Sequence, residues 1–160
     1  MSDMIGIGSL APSFDCTAIA NGRFVELNWQ QLHQDQVLVL LFDSVESSSN
    51  LLTEIAELRA AQAQFARLKA RLYVVCRDPA DELLSANFPF PLLLDPDNEI
   101  ACLYDMLLPD GTMLWGQCIV DADGFVQRFV QCDVPASSSV AELIHYVAAV
   151  RDSETTQSPC

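Results

Sequence analysis

The sequence predicts an α/β fold, with a central mixed sheet flanked by helices and an N-terminal β-hairpin. The hairpin is indicated by two strand-like runs on either side of Asn21-Gly22, a dipeptide that supplies the positive φ angles of a tight turn. A central strand is indicated by residues 37–42, which are apolar at every position, as expected when helices cover both faces of a sheet. A long helix is indicated by apolar residues at helical spacing between Leu51 and Leu68.

The remaining elements follow from periodicity and from turn residues. The predicted strands cover residues 14–19, 24–27, 37–42, 72–76, 117–121 and 126–131, with a further short strand that ends at Leu94. The predicted helices cover one turn around Trp29 and Leu32 and residues 51–68, 80–86, 99–104 and 140–150. Ser49 or Asn50 is the expected N-cap of the long helix, and Ser139 with Glu142 forms a capping box for the last one.

The chain is predicted to form one domain. Its 160 residues suffice for one hydrophobic core, no repeat or linker divides them, and residues 1–151 are assigned to that domain. Residues 152–160 are polar and are expected to form a flexible C-terminal tail. The first residues lack the basic patch and apolar run of a signal peptide, and no window has the length of a membrane helix. A cytoplasmic location is therefore expected.

The charge balance excludes some classes of function. The chain has 22 acidic and 8 basic residues, which gives a formal net charge of −14 at pH 7. Because nucleic-acid binding depends on Lys and Arg at phosphates, this charge argues against a nucleic-acid groove and against anionic membranes. Two interpretations of the acidity stay open: it keeps the protein soluble, or it favours a basic protein partner.

The six cysteines, at positions 16, 76, 102, 118, 132 and 160, are too far apart in sequence for a CxxC redox pair or a zinc knuckle. Cys16, Cys76 and Cys118 lie in apolar strand-like runs, where a cysteine acts as a small hydrophobic residue. Cys160 differs from them because it lies on the polar tail.

Other candidate ligand groups are weaker. His33 and His145 are far apart in sequence, and one is expected on a polar turn and the other on a helix face. Asp95, Asp97 and Glu99 resemble a calcium loop but lack its glycine and its last glutamate, so a solvated turn is expected. Neither a metal nor a cofactor is predicted.

Four blocks of sequence add a resemblance to a known family. They are IGSLAPSF at residues 7–14, FPLLLDPD at residues 90–97, the segment from Ile100 to Tyr104, and GQCIVDADG at residues 116–124. In this order and spacing they resemble the alkyl-hydroperoxide-reductase and thiol-specific-antioxidant family, the peroxiredoxins. The resemblance covers most of the chain and implies a thioredoxin-like fold, which the predicted order of strands and helices also favours.

The same resemblance locates a site whose chemistry has changed. The family's P-x-x-x-T-x-x-C motif aligns without a gap so that Ser44 replaces the proline, Ser48 the threonine and Leu51 the peroxidatic cysteine. The family's arginine is replaced by Trp115, whereas Glu54 matches an acidic residue common in the family's first helical turn. In the family, the helix N-terminus and the arginine favour the thiolate, and the hydroxyl holds the peroxide. The resemblance thus implies an active-site-equivalent pocket without its nucleophile.

Two functional hypotheses follow from the resemblance. A third possibility is that the chain is a structural subunit of an acidic assembly. The first is a catalytically degenerate peroxiredoxin that acts as a binding or regulatory subunit related to antioxidant systems, which makes a non-enzymatic role the favoured one. It implies a homodimer, or a heteromer with an active paralogue. The second is a thiol peroxidase or oxidoreductase that uses another cysteine, namely Cys160 or Cys102. Cys160 stands at about the distance of the family's C-terminal resolving cysteine.

Overall fold

A seven-stranded mixed sheet forms the centre of the computed structural model. The structure describes residues 5–34, 36–42, 48–77, 90–132 and 140–156, with positions 48–55, 132, 140 and 152–156 described by their backbone only. The strands are β1 Cys16–Ala20, β2 Arg23–Leu27, β3 Val37–Phe42, β4 Ala70–Cys76, β5 Leu92–Leu94, β6 Trp115–Val120 and β7 Val126–Cys132. The helices are α1 Trp29–His33, α2 Ser48–Arg67, α3 Glu99–Leu103 and α4 Val140–Thr156.

The strand order across the sheet is β2-β1-β5-β4-β3-β6-β7. Strands β3, β4 and β5 run parallel to one another, and every other neighbouring pair is antiparallel. The predicted mixed sheet flanked by helices is therefore confirmed. Since parallel strands share one direction, β3 and β4 end at the same edge of the sheet.

The N-terminal hairpin forms as predicted. Asn21 and Gly22 have φ angles of 53° and 75°, the left-handed values that a two-residue turn between antiparallel strands requires. Strands β1 and β2 pair along their whole length, from Cys16 opposite Leu27 to Ala20 opposite Arg23.

The sheet separates two hydrophobic clusters because its central strands are apolar on both faces. One face packs against α1 and α3 through buried side chains that include Leu32, Leu40, Phe42, Ile100, Tyr104 and Cys118. The other face packs against α2 and α4 through buried side chains that include Val39, Leu58, Phe65, Ile119, Leu143 and Val147. No helix in the described part of the chain combines the length and apolarity needed to cross a membrane.

Two predicted helix boundaries were wrong. Helix α2 begins at Ser48, so Ser49 and Asn50 are helical residues and neither is the N-cap. A run of serines offers several equivalent starting points, and this is why the sequence pattern misplaced the cap. Helix α4 continues to Thr156 and passes the predicted domain boundary at residue 152. Three predicted features lie outside the described residues: the end of the tail at residues 157–160, the helix at 80–86, and Ser139 of the capping box.

Candidate functional site

The predicted site lies at the edge of the sheet where β3 ends. Phe42, the last residue of β3, pairs with Gly116, so Trp115 at the start of β6 stands beside the end of β3. After residues 43–47 the chain continues into α2. The topology therefore brings Trp115 and the beginning of α2 to the same edge, although they are far apart in sequence.

Three of the predicted site positions lie in the first two turns of α2. Ser48 is its first residue, and Leu51 and Glu54 follow within the next six. Position 51 precedes Leu58 by seven residues and Phe65 by fourteen, so helical periodicity places it on the face that buries both of those side chains. Ser44 lies outside the described residues.

Trp115 projects towards the α2 side of the sheet. Alternate residues of a strand share a face, and Ile119, four residues further along β6, packs in the cluster that α2 and α4 cover. Trp115 is half-buried. An indole thus occupies the position for which the resemblance implies a guanidinium.

Gly116 explains why β6 can approach its neighbours closely at this edge. A Cβ at Gly116 would stand 2.5 Å from the carbonyl oxygen of Val130 and 2.6 Å from the Met106 sulfur. Its side of β6 faces the α1 and α3 cluster, opposite to Trp115. The glycine therefore leaves the space that Met106 and the Val130 carbonyl occupy next to Trp115.

One cation at this edge escaped the sequence prediction. Arg77 directly follows β4, and its Nε donates to Asn98 Oδ1 at 2.9 Å while its Nη2 donates to the carbonyl of Gly111 at 3.0 Å. The guanidinium ties two loops together at the carboxyl end of β4. An arginine immediately after a buried strand is the only sequence signal that could have indicated it.

Burial suppresses the reactivity of two cysteines that the sequence predicted as hydrophobic. Removal from water raises the pKa of the Cys118 thiol to about 12, and burial with nearby Glu26, Asp15 and Asp95 raises that of Cys16 to about 12. Cys76 is buried, whereas Cys102 is exposed on α3. Cys160, the other predicted redox thiol, lies outside the described residues.

Two of the candidate ligand groups, His33 and Asp95, are buried and have structural partners. His33 is buried on α1 and not on a polar turn as predicted, and its Nε2 lies 2.8 Å from the carbonyl oxygen of Asp121. His145 is exposed on α4, as predicted for a helix face. The predicted solvated turn was wrong at Asp95, which is only 3% exposed. Asp97 and Glu99 are exposed. Within the described ranges, no three His, Cys, Asp or Glu residues are grouped as metal ligands.

Two cavities lie away from the Trp115 edge. The larger, about 800 Å³, is bordered by the N-terminal segment, by Trp29 and His33 of α1 and by the 122–124 turn. The smaller, about 380 Å³, lies where α2 ends and β4 begins. Both are near the edge where β3 and β4 begin, so neither is the predicted pocket around Leu51, and that pocket stays a prediction.

Together, the parallel β3-β4-β5 core, the antiparallel β6-β7 pair and the flanking helices define the thioredoxin-like class. Within that class the chain belongs to the AhpC/TSA family, whose model matches residues 7–129. Peroxiredoxin tpx1 of Schizosaccharomyces pombe is 26% identical over 166 aligned residues, which span 96% of this chain and 86% of the relative. Peroxiredoxin-2 of Bos taurus is 25% identical over 166, with 96% and 83% covered.

Solved structures match over nearly the whole chain. The mitochondrial 2-Cys peroxiredoxin of Plasmodium falciparum superposes with a TM-score of 0.83 at 19% identity, covering 97% of this chain and 99% of the other. AhpC of Enterococcus faecalis gives 0.83 at 20% identity, with 98% and 99% covered. Prx1a of Plasmodium yoelii, modified at its N-terminus, forms an octamer described as artifactual and gives 0.79 at 22% identity, with 97% and 96% covered. These likenesses confirm the predicted fold.

Proposed function

We propose that this chain is a catalytically degenerate member of the AhpC/TSA family that acts as a binding or regulatory subunit. One observation carries the proposal: the sequence has no cysteine between Cys16 and Cys76. The whole of α2 and the residues that connect it to β3 fall inside that interval. A thiol therefore cannot stand at the head of α2, where the helix N-terminus would favour its ionised form.

The replacements around this position support the same conclusion. Leu51 carries an alkyl side chain that has no lone pair with which to attack a peroxide. Trp115 carries no charge, so the Coulombic stabilisation that a guanidinium would give a thiolate is absent from β6 at this position. Ser48 keeps a hydroxyl and Glu54 a carboxylate, and Ser44 replaces the shielding proline. Such a set suits recognition of a partner side chain or of an apolar group.

Assembly and location form part of the proposal. We infer a homodimer or a larger homo-oligomer, or a heteromer with an active paralogue, in the cytoplasm. The net charge of −14 suits a partner with a basic surface, and a contact of that kind should weaken as salt screens it.

Restoring the lost groups tests the proposal. The unaltered protein is expected to consume no hydrogen peroxide in the presence of excess dithiothreitol beyond the rate of the reagent alone. Leu51→Cys combined with Trp115→Arg is expected to regain thiol-dependent peroxide reduction if the scaffold of the site is retained. The matched control is Leu51→Ser with Trp115→Arg, which restores the charge without the nucleophile and should stay inactive.

The outcomes separate the possibilities. Peroxide turnover by the unaltered protein would directly contradict the proposal that this chain is catalytically degenerate. Activity in the cysteine variant alone would support it, since only the nucleophile and its charge partner differ. Equal activity in the cysteine and serine variants would point to another thiol in the chain.

That other thiol defines the second candidate function, a thiol peroxidase or oxidoreductase that uses Cys102 or Cys160. It is favoured by the exposure of Cys102 on α3. Its test compares Cys102→Ser and Cys160→Ser, singly and combined, in the same assay and in alkylation at pH 7. Any turnover should disappear when the cysteine that carries it is replaced by serine. A cysteine that is alkylated no faster than free cysteine is excluded as the reactive thiol.

A further inference from the structure

Positive charge is concentrated in one stretch of this acidic chain. Residues 58–77, here called the basic segment, contain no Asp or Glu, although the whole chain has 22 of them. Five of the eight basic residues lie in it: Arg59, Arg67, Lys69, Arg71 and Arg77. The segment therefore repels anions less than the rest of this acidic chain does.

The middle of the basic segment lies at the smaller cavity. The segment covers the second half of α2, reverses direction at Lys69, whose φ is 53°, and returns as β4. The cavity of about 380 Å³ lies at this reversal, and Lys69 and Arg71 both line it. Strand β5 pairs only with Val74–Cys76, so among the described residues the first half of β4 has no strand on that side. The cavity occupies this gap in the sheet.

The walls of the cavity combine an apolar surface with polar groups. The rings of Phe65 and Phe90 meet edge to face with their centroids 5.6 Å apart, and Pro91 lies next to them. The polar residues Gln36 and Gln62 also line the cavity. An apolar surface with a few polar groups is the usual composition of a small-molecule site.

The two cations have donor capacity to spare. Nη1 of Arg71 donates to the carbonyl of Gln31 at 2.8 Å, which uses one of the five N–H donors of a guanidinium. Lys69 is exposed, and no acceptor for its ammonium group is found among the described residues. Both residues line the cavity, so both keep N–H donors for an acceptor that enters it.

We propose that this cavity binds a small organic anion with one acidic head group and a compact apolar body, as in an aryl carboxylate. The head group would be held by Lys69 and Arg71, and the apolar body would lie against Phe90 and Pro91, with the buried Phe65 ring behind them. The volume is near the lower end of the range for small-molecule sites, which excludes a bulky cofactor. A polyanion is excluded by the repulsion of the whole chain, with its net charge of −14.

Titration calorimetry with 2-naphthoate at low ionic strength tests the proposal on the full chain. Saturable binding of one molecule per chain is expected, and the uncharged 2-naphthamide should bind at least about tenfold more weakly, since a charge-assisted hydrogen bond would be lost. Lys69→Gln should weaken 2-naphthoate by about tenfold for the same reason. Ala66→Trp fills the cavity from the exposed face of α2, keeps every charge, and should abolish binding.

Arg59→Gln is the matched control, because it removes one positive charge from the basic segment outside the cavity lining. It should leave the affinity within about twofold of the unaltered protein. The proposal is overturned if 2-naphthoate does not saturate, or if the amide binds equally well. Equal weakening by Arg59→Gln and Lys69→Gln would also overturn it, since the attraction would then be diffuse. Circular dichroism of each variant checks that the fold is retained.

Discussion

Asp95 organises the chain between β5 and α3 with a single side chain. Its Oδ1 accepts the N–H of Ile100 at 3.0 Å and its Oδ2 accepts the N–H of Ala101 at 2.9 Å. These N–H groups belong to the first turn of a short helix, and such groups have no partner within the helix itself. The carboxylate is 3% exposed, so water cannot replace it. Asp95 therefore acts as a buried cap.

Asp95→Ala is expected to destabilise the protein by about 2 to 4 kcal/mol, because two buried N–H groups lose their acceptor. Asp95→Asn keeps one acceptor oxygen and should cost about half as much. The measurement is the free energy of unfolding in urea for both variants. Asp97→Ala, at an exposed position of the same turn, is the control and should cost less than about 0.5 kcal/mol. A loss of similar size for Asp97→Ala would show that the turn, and not the buried carboxylate, is responsible.

At the scale of single elements, β7 and α4 are joined by a contact between a cation and an aromatic ring. The guanidinium carbon of Arg128 lies 3.6 Å from the centre of the Tyr146 ring. Nε of Arg128 also donates to Oε1 of the buried Gln117 on β6, at 3.4 Å. Arg128 thus connects the outermost strand to the helix that covers it.

A double-mutant cycle measures that connection. Arg128→Leu and Tyr146→Leu are each expected to destabilise the protein, and their combination should cost about 1 kcal/mol less than the sum. Thermal or urea unfolding of the four proteins gives the coupling energy. Tyr146→Phe in place of Tyr146→Leu keeps the face of the ring and hence the contact with Arg128, so the coupling energy measured in that cycle should be close to zero. A coupling near zero in the leucine cycle would mean that the contact contributes only burial.

Elements whose determinants are local could be predicted from the sequence. The β1-β2 hairpin depends on Asn21-Gly22, and the central strand on an unbroken apolar run. The end of α4 could not be predicted in this way: the apolar pattern stops near Val150, but the helix continues to Thr156. In this last part, Arg151 Nη1 donates to the carbonyl of Arg67, 84 residues earlier. A contact between residues so far apart in sequence has no signature in the local pattern.

The same distinction applies to the candidate site. The resemblance located Leu51 and Trp115, and the pairing of Phe42 with Gly116 explains why β6 can place residue 115 beside the end of β3. The role of Arg77 depends on its hydrogen bonds to Asn98 and Gly111. The buried position of His33 depends on a partner for its ring nitrogen, the carbonyl of Asp121. Those partners are separated by tens of residues, so no local pattern reveals them.

At the scale of the whole molecule, buried thiol and phenol groups lie inside a chain whose formal net charge is −14. Burial raises the pKa of the Cys118 thiol to about 12 from 9.0 and also raises that of the Tyr104 hydroxyl, which lies in the same cluster. The Cys16 thiol has a pKa raised to about 12 as well. In the unfolded chain these thiols ionise near pH 9, so alkaline solution favours unfolding.

The sign and range of the pH dependence follow from these values. Below about pH 9 the thiols are neutral in both states, and their contribution to stability is constant. As the pH rises from 9 towards 12, only the unfolded chain releases these protons, and stability falls. For Cys118 alone the loss is about 2 kcal/mol at pH 10.5.

Cys118→Ala provides the matched comparison because it removes the buried thiol from the core of the sheet. The variant should be less stable at pH 8, since it loses packing in the α1 and α3 cluster. Its free energy of unfolding should then decline less steeply, so that its deficit shrinks by about 2 kcal/mol between pH 8 and pH 10.5. Urea unfolding under a reducing agent at both values measures this. Parallel declines would show that ionisation of the Cys118 thiol does not contribute to the alkaline loss, because the variant keeps every other titratable group of the unaltered chain.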